Sequence, residues 1–407
     1  MSKVLFFFTS NYPYGKGETF IENEIEHLSK AFDKIIIISN DTTNLQTRKT
    51  PKNCAITRFN YELSSILKLL SFLEIGNSLF WREMKIIRRL YKLKTSKIIF
   101  NTLIITLQKK YIFKKRIKNI ISQQTSRKDE VYLYSYWAND MAIAIASIKS
   151  KKIIKKRFCR AHRWDLYLEE NRSKYLPLRE YLLKNIDIYA SISSDGCRYN
   201  HLLLGSDYPS VKLSRLGVQS RIFKKCNINN FTILSLSNLI DVKNIKTLIH
   251  ALSILEIDFN WIHIGDGVLK QELIQLAELK IPNKYTYVGA LSNQEVMDYM
   301  SKKNISLFIN VSLSEGIPVS IMEAMSFGIP CVATAVGGTP EIVNDGYNGF
   351  LLSPNPTAVE IADMIEKFYN LSYECKENMH QNAFYTWENE YNAEKNYSAF
   401  INQILSN

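Results

Sequence analysis

Six cysteines, Cys54, Cys159, Cys197, Cys226, Cys331 and Cys375, lie scattered with no CxxC pair, a usage that suggests neither a zinc site nor a disulfide framework and fits a reducing compartment. No Asp-x-Asp pair occurs anywhere, so no divalent metal and no other cofactor is expected. No apolar stretch reaches the roughly 18 residues of a spanning helix; the run over 98–106 is short and holds Asn101. Residues 4–8 are apolar but lack a basic leader, which argues against a signal peptide. Neither half opens with a full GxGxxG, which speaks against a nicotinamide-dependent oxidoreductase. Glycine (15) and proline (10) are too sparse for low-complexity sequence, so most of the chain is expected to fold.

The 407 residues exceed one ordinary core and suit two domains. Charge divides them. Residues 1–218 hold 39 basic against 19 acidic side chains, and residues 219–388 hold 12 against 18. The expected domains are therefore 1–218 and 219–388, with 389–407 as a closing helix. Within 82–118 thirteen basic residues face a single acid, Glu83, and alternate with Trp81, Ile86, Ile87, Ile99, Leu103 and Ile104. This stretch, 81–120, reads either as basic amphipathic helices against an anionic membrane or as solvated helix faces over a core. Nucleic acid is not an expected partner, because no nucleic-acid-binding motif accompanies the charge.

Short apolar runs separated by polar or Gly-containing loops and helical patterns recur along both halves: 4–8, 35–38, 131–134, 153–158 and 188–191, then 231–235, 261–264, 285–288, 305–309 and 331–333. That alternation predicts two parallel α/β layers, whose ligands bind beyond the carboxyl ends of the strands. The densest chemistry follows the run 305–309: Glu315, Gly316, Ile317, Pro318, Val319, Ser320 and Glu323, then Gly328, Pro330, Gly337 and Gly338. Pro318 suits a first helical turn and Gly328 with Pro330 a stop, which predicts a helix over 318–327. Its free amides near Gly316 to Ser320 form a site for a phosphate or anionic oxygen.

Residues 312–343 resemble the signature of family 4 glycosyltransferases of the GT-B superfamily, with two glutamates separated by seven residues. The resemblance implies a GT-B fold, two facing Rossmann-like domains with a central cleft and a C-terminal helix crossing back to the first. It implies that Glu315 with the amides after it holds the donor sugar and phosphate, and that Glu323 holds the ribose. Lys243 stands where the family places a lysine on the pyrophosphate, whereas Asn238 replaces the usual arginine, a loss that Arg160 or Arg163 is a candidate to offset. Gly265, in Gly265-Asp266-Gly267, matches the loop near the base. In the first half, His162 and Asp165 resemble a His-x-x-Asp element, and Glu18-Thr19-Phe20-Ile21 resembles a segment, both found in exopolysaccharide and O-antigen members. There Gly15 and Gly17 would let backbone approach a diphosphate and Thr19 would begin the helix; Tyr136, Trp137 and Asp165 are candidates for the acceptor groove.

The implied activity is retaining transfer of a hexose-type sugar from a nucleotide-diphosphate sugar to a lipid-linked saccharide in surface polysaccharide synthesis, with Glu315 and His162 as catalytic candidates. The protein would work in the cytoplasm, peripherally on the inner face of the membrane, with the anionic bilayer as partner of its basic half. A sugar-nucleotide epimerase and a non-catalytic envelope scaffold are the alternatives that fold alone leaves open.

Overall fold

The computed structural model describes all residues except Lys16, Thr19, 42–44, Tyr61, 150–152, Ser206, Ser220, Ile222, 224–229 and Asn407, so the expectation for Thr19 lies outside the described residues. The chain divides into one unit of Met1–Arg215 with Tyr397–Asn407 and a second of Leu216–Asn396.

The first unit is built on seven strands, β1 (Lys3–Thr9), β2 (Lys34–Ser39), β3 (Cys54–Arg58), β4 (Glu130–Ser135), β5 (Ile154–Ala161), β6 (Ile188–Ser191) and β7 (Val211–Leu213). All neighbours are parallel, in the order β3-β2-β1-β4-β5-β6-β7. A parallel sheet covered on both faces needs apolar side chains on both, which is why β1 reads as an unbroken Val-Leu-Phe-Phe-Phe run. Val4, Phe6 and Phe8 enter one core with Leu133 and Ile36. Leu5 and Phe7 enter the other, with Tyr134, Phe158 and, from the terminal helix Ala393–Leu405, Phe400 and Ile404.

Between β3 and β4 the alternation gives way to helix: Ser65–Leu70, a 3-10 turn Ser71–Gly76, Ser78–Arg89 and the 28-residue Lys97–Gln124. Ser64, Asn77 and Ser96 cap the three α-helices by accepting from Leu67, Leu79 and Ile99 amides. Ile86, Ile87, Ile99, Leu103 and Ile104 all point into the core, so those side chains serve packing, whereas Trp81 and Ile98 remain 57% and 53% exposed. Among the described residues no helix is long and apolar enough to cross a membrane.

The second unit carries β8 (Thr232–Leu236), β9 (Asn260–Ile264), β10 (Tyr285–Gly289), β11 (Leu307–Asn310), β12 (Cys331–Thr334) and β13 (Gly349–Leu352), again parallel, in the order β10-β9-β8-β11-β12-β13. The helix expected over 318–327 runs Val319–Met325, after Pro318.

Candidate functional site

Each sheet reverses its strand order once, between β1 and β4 and between β8 and β11. In open α/β sheets the loops beyond the carboxyl ends of two such strands diverge and leave a crevice, where ligands bind. Both reversals here hold candidate residues.

In the second unit the loop after β8 presents Lys243 from a 3-10 turn, Asp241–Lys243, and the loop after β11 presents Glu315. Lys243 Nζ donates to Glu315 Oε1 at 2.6 Å, the two side chains being 22% and 11% exposed. Asn310 Nδ2 adds a longer contact to the same oxygen, 3.4 Å, and the Leu313 amide donates to the Val242 carbonyl at 2.8 Å, tying the loops together. Two glycines allow close backbone approach here, one onto Glu315 and one onto the loop after β8. Gly337, at φ +54°, would place a Cβ 1.9 Å from the Glu315 carbonyl oxygen, and Gly265, at φ +146°, would place one 1.8 Å from that of Ser237; both positions need the missing side chain. The Gly338 amide also donates to the Gly316 carbonyl at 2.6 Å.

Pro318 precedes the helix Val319–Met325, and among the described residues no side chain caps it. The first-turn amides of Val319 and Ser320 therefore keep the positive end of the peptide dipoles available to an anion. Ile317 and Pro318 are buried behind them and Asn238 is exposed. Glu323 is 5% exposed and accepts from Asn293 Nδ2 at 2.5 Å. Burial pushes its carboxyl up to about 7, against the opposing pull of Asn293 and the Arg221 charge. Glu315 and Glu323 thus have different surroundings, one salt-bridged and one desolvated, despite their common motif. Arg221 escaped the sequence reading because nothing in its spacing links it to Glu323.

At the first unit's reversal, Glu18 closes the loop after β1. Its carboxylate accepts from the amides of Ser10, Asn11 and Tyr12 at 2.9, 2.6 and 2.7 Å and from Trp137 Nε1. Three amides that could have cradled an anion are thereby held by the protein's own carboxylate. The carbonyls of Gly15 and Gly17 are in turn held by Arg48, with Thr47 Oγ1 at 2.6 Å from Gly15. Trp137, pinned by Glu18, lies 4.5 Å from the His162 ring and 5.1 Å from Trp164, centroid to centroid.

His162 is 6% exposed, and neither ring nitrogen has a hydrogen-bond partner among the described residues. Burial and then the Arg160 charge hold its imidazole well below the usual titration range, so it presents one neutral donor and one acceptor. Asp165 is fully buried, with its oxygens taken by the Ala138 and His162 amides at 2.6 Å each; burial raises its carboxyl to about 6. It positions the His162 backbone. Tyr136 is fully buried against the same imidazole at 4.8 Å. Arg160 is buried in an ion pair with Glu24 at 3.1 Å, and Arg163 pairs with Glu170 at 2.7 Å. Both arginines thus already hold carboxylates within the first unit.

Ala138, Trp164 and Asp165 also line a cavity of about 540 Å³ in the first unit, with Thr106, Lys109 and Asp140 on its wall. Lys109 Nζ lies 2.7 Å from Asp140, which also accepts from Thr106 at 2.9 Å. A cavity with an exposed indole beside hydrogen-bonding groups matches the apolar face and hydroxyl edge of a sugar ring. Among the described residues no three His, Cys, Asp or Glu side chains gather as a metal site.

Residues 218–385 match the family model described as Glycosyl transferases group 1. An uncharacterized glycosyltransferase of Methanocaldococcus jannaschii is 36% identical over 126 residues, 30% of this chain and 35% of that protein. The amylovoran biosynthesis glycosyltransferase AmsK of Erwinia amylovora is 27% identical over 181 residues, 41% and 44% of the two chains. These alignments span less than half of the relatives' own length. Among solved structures, HepE of Anabaena in complex with UDP and glucose superposes with a TM-score of 0.66 at 16% identity, covering 100% of both chains. The fold is the two-domain GT-B fold.

Proposed function

We propose, from the match of residues 218–385 to the family model Glycosyl transferases group 1, that this chain is a glycosyltransferase of surface polysaccharide synthesis. It moves a hexose-type sugar from a nucleotide-diphosphate sugar to a lipid-linked saccharide with retention of anomeric configuration. The observation that carries this reading is the Lys243–Glu315 pair at the β8/β11 reversal. Support comes from AmsK, an amylovoran biosynthesis glycosyltransferase by name, and from HepE, whose complex contains UDP and glucose.

Transfer breaks the bond between the anomeric carbon and the diphosphate oxygen while negative charge gathers on the departing diphosphate. Groups that meet that charge better than they meet the ground state accelerate the step. Lys243 is such a group: a cation held beside a carboxylate can turn toward the diphosphate as its charge grows. Glu315, fixed by Lys243 and Asn310, is assigned to the donor sugar, together with the amides of Gly316, Val319 and Ser320 around the phosphate. Ile317 and Pro318 back that loop, Glu323 is assigned to the ribose, Gly265 borders the base, and Asn238 stands toward the pyrophosphate in the place of an arginine. Gly15 and Gly17 keep their assignment near the diphosphate as backbone, with Glu18 as the residue that shapes their loop. His162, neutral and with neither ring nitrogen bonded to a described residue, is assigned to a sugar hydroxyl, and Trp137 to the wall that orients it. The acceptor saccharide is assigned to the 540 Å³ cavity. The cation and the amide dipoles do the work of a divalent ion, so transfer should persist in a chelator.

The reading places the enzyme in the cytoplasm, peripherally at the membrane that holds its acceptor. Incubation with UDP-, GDP- and dTDP-sugars tests it, with nucleotide release followed against added lipid-linked acceptor and the product anomer read from proton couplings. Acceptor-dependent release with the donor's own configuration is expected. Conversion of donor without acceptor would instead mark an epimerase, and an inverted product would remove retention.

A further inference from the structure

Five large apolar side chains next to the basic helices face solvent: Ile66, Leu69, Leu70, Phe72 and Leu73, at 72, 69, 43, 49 and 77% exposure. Ile66, Leu69, Leu70 and Leu73 fall at i, i+3, i+4 and i+7, the spacing of one helical face, which ordinarily turns toward a core. Here it turns outward. The helix Ser65–Leu70 buries none of its residues. Leu67, Ile75 and Leu79 anchor the segment to the core from the other side, and Phe72 meets Phe100 at 6.5 Å. The ledge is therefore a fixed feature of the first unit. Trp81, on the next helix, is exposed as well.

Its charge is as one-sided as its hydrophobicity. Residues 65–98 carry eight basic side chains against two acids, Glu74 and the buried Glu83. Exposed apolar side chains beside cations, with an indole at the margin, fit the boundary between acyl chains and anionic headgroups.

We propose that this ledge docks the protein on an anionic bilayer, with Ile66, Leu69, Leu70, Leu73 and Trp81 entering the acyl boundary and the surrounding cations meeting lipid phosphates. The apolar residues responsible are thus the stripe that precedes 82–118, and the exposed cations of the next helix, Lys85, Arg88 and Arg89, supply the attraction beside it. Ile98, half exposed, also lines the 540 Å³ cavity and lies on the same helix as Phe100, which meets Phe72, so the cavity and the ledge share that helix. A saccharide tethered to the bilayer would then reach the cavity without leaving its lipid. The inference deepens the partner named under the proposed function, but docking is read without donor or turnover, so either can fail alone.

The full chain is sedimented with vesicles of equal parts phosphatidylcholine and phosphatidylglycerol, and with phosphatidylcholine alone. Strong binding to the mixed vesicles and weak binding to the neutral ones is expected. Replacing Leu69→Ser together with Leu73→Ser should lower binding about 100-fold, about tenfold for each leucine no longer buried in lipid, with the melting temperature unchanged. Trp81→Ala, on a separate helix, should lower it as well. Lys85→Glu with Arg89→Glu should weaken binding most at low salt, since screening already removes much of that attraction at high salt. Unchanged binding of the leucine variant overturns the proposal. So does a wild-type dimer that the leucine variant converts to monomer without any vesicle binding, because the ledge would then be a contact between two copies of this chain.

Discussion

Replacing Glu315 and Lys243 singly and together tests whether the two act as one device. The carboxylate and ammonium lie 2.6 Å apart with 11% and 22% of their side chains exposed, so solvent screens them only in part. Glu315→Gln keeps the shape and a hydrogen-bond acceptor while removing the charge that holds Lys243. Loss of one preorganised polar contact to a developing charge costs about 10²- to 10³-fold in kcat, or about 3–4 kcal/mol. Lys243→Ala should cost a similar factor and also raise the donor KM, because the ammonium meets the diphosphate in the ground state too. If the pair works as a unit, the double variant is little worse than the worse single one, so the coupling approaches the size of one single loss, about 3–4 kcal/mol. Global stability should move by no more than about 1 kcal/mol, the scale of a partly exposed ion pair. Initial rates of nucleotide release over a donor series, together with thermal melts, give every quantity. Full multiplication of the two single losses would sink the idea that the pair acts jointly, and a wild-type rate for Glu315→Gln would remove Glu315 from the mechanism.

Glu323 has its carboxyl raised to about 7 by burial, so the folded state binds its proton more tightly than the unfolded chain does. It therefore costs stability as pH rises from about 4.5 to 7, and Glu323→Gln should flatten that part of the melting-temperature profile relative to wild type while weakening donor binding. Arg160→Ala should destabilise by about 3–5 kcal/mol, because it leaves Glu24 buried without its cation; a variant as stable as wild type that loses only donor affinity would show that Arg160 serves phosphate after all. Gly337→Ala should unfold the Glu315 loop locally and abolish transfer, since its Cβ has no room beside the Glu315 carbonyl; retained activity would contradict that close approach.

Strands with a long apolar run were legible because both faces of a parallel sheet are covered, as β1 and β4 demonstrate. The edge strand β3, with Cys-Ala-Ile-Thr-Arg, carries no such run and escaped, as did the three-residue β7 and β13, whose glycine start reads as a turn. Glu315, Lys243 and the glycines around them stood out because close backbone approach and a helix start restrict residue types locally. Arg48 and Arg221 act through partners distant in sequence, Glu18 stood in a recognisable segment whose hold on the Tyr12 amide and the Trp137 indole only the fold revealed, and the outward stripe of Ile66, Leu69 and Leu73 has the same periodicity as a buried one. Periodicity says which side chains share a face but not what lies opposite.

The sequence alone determined the number of α/β layers, the charge division between halves, and the loop that carries Glu315 through Glu323, because each depends on local residue types and spacing. Tertiary structure alone decided which charges find partners. Arg160 was drawn into the core by Glu24, Lys243 was set against Glu315, and His162 was left with neither nitrogen bonded to any described residue. Those outcomes follow from chain segments tens or hundreds of residues apart meeting where the sheets reverse their strand order, and burial then makes each pairing, or its absence, count for more than it would in water.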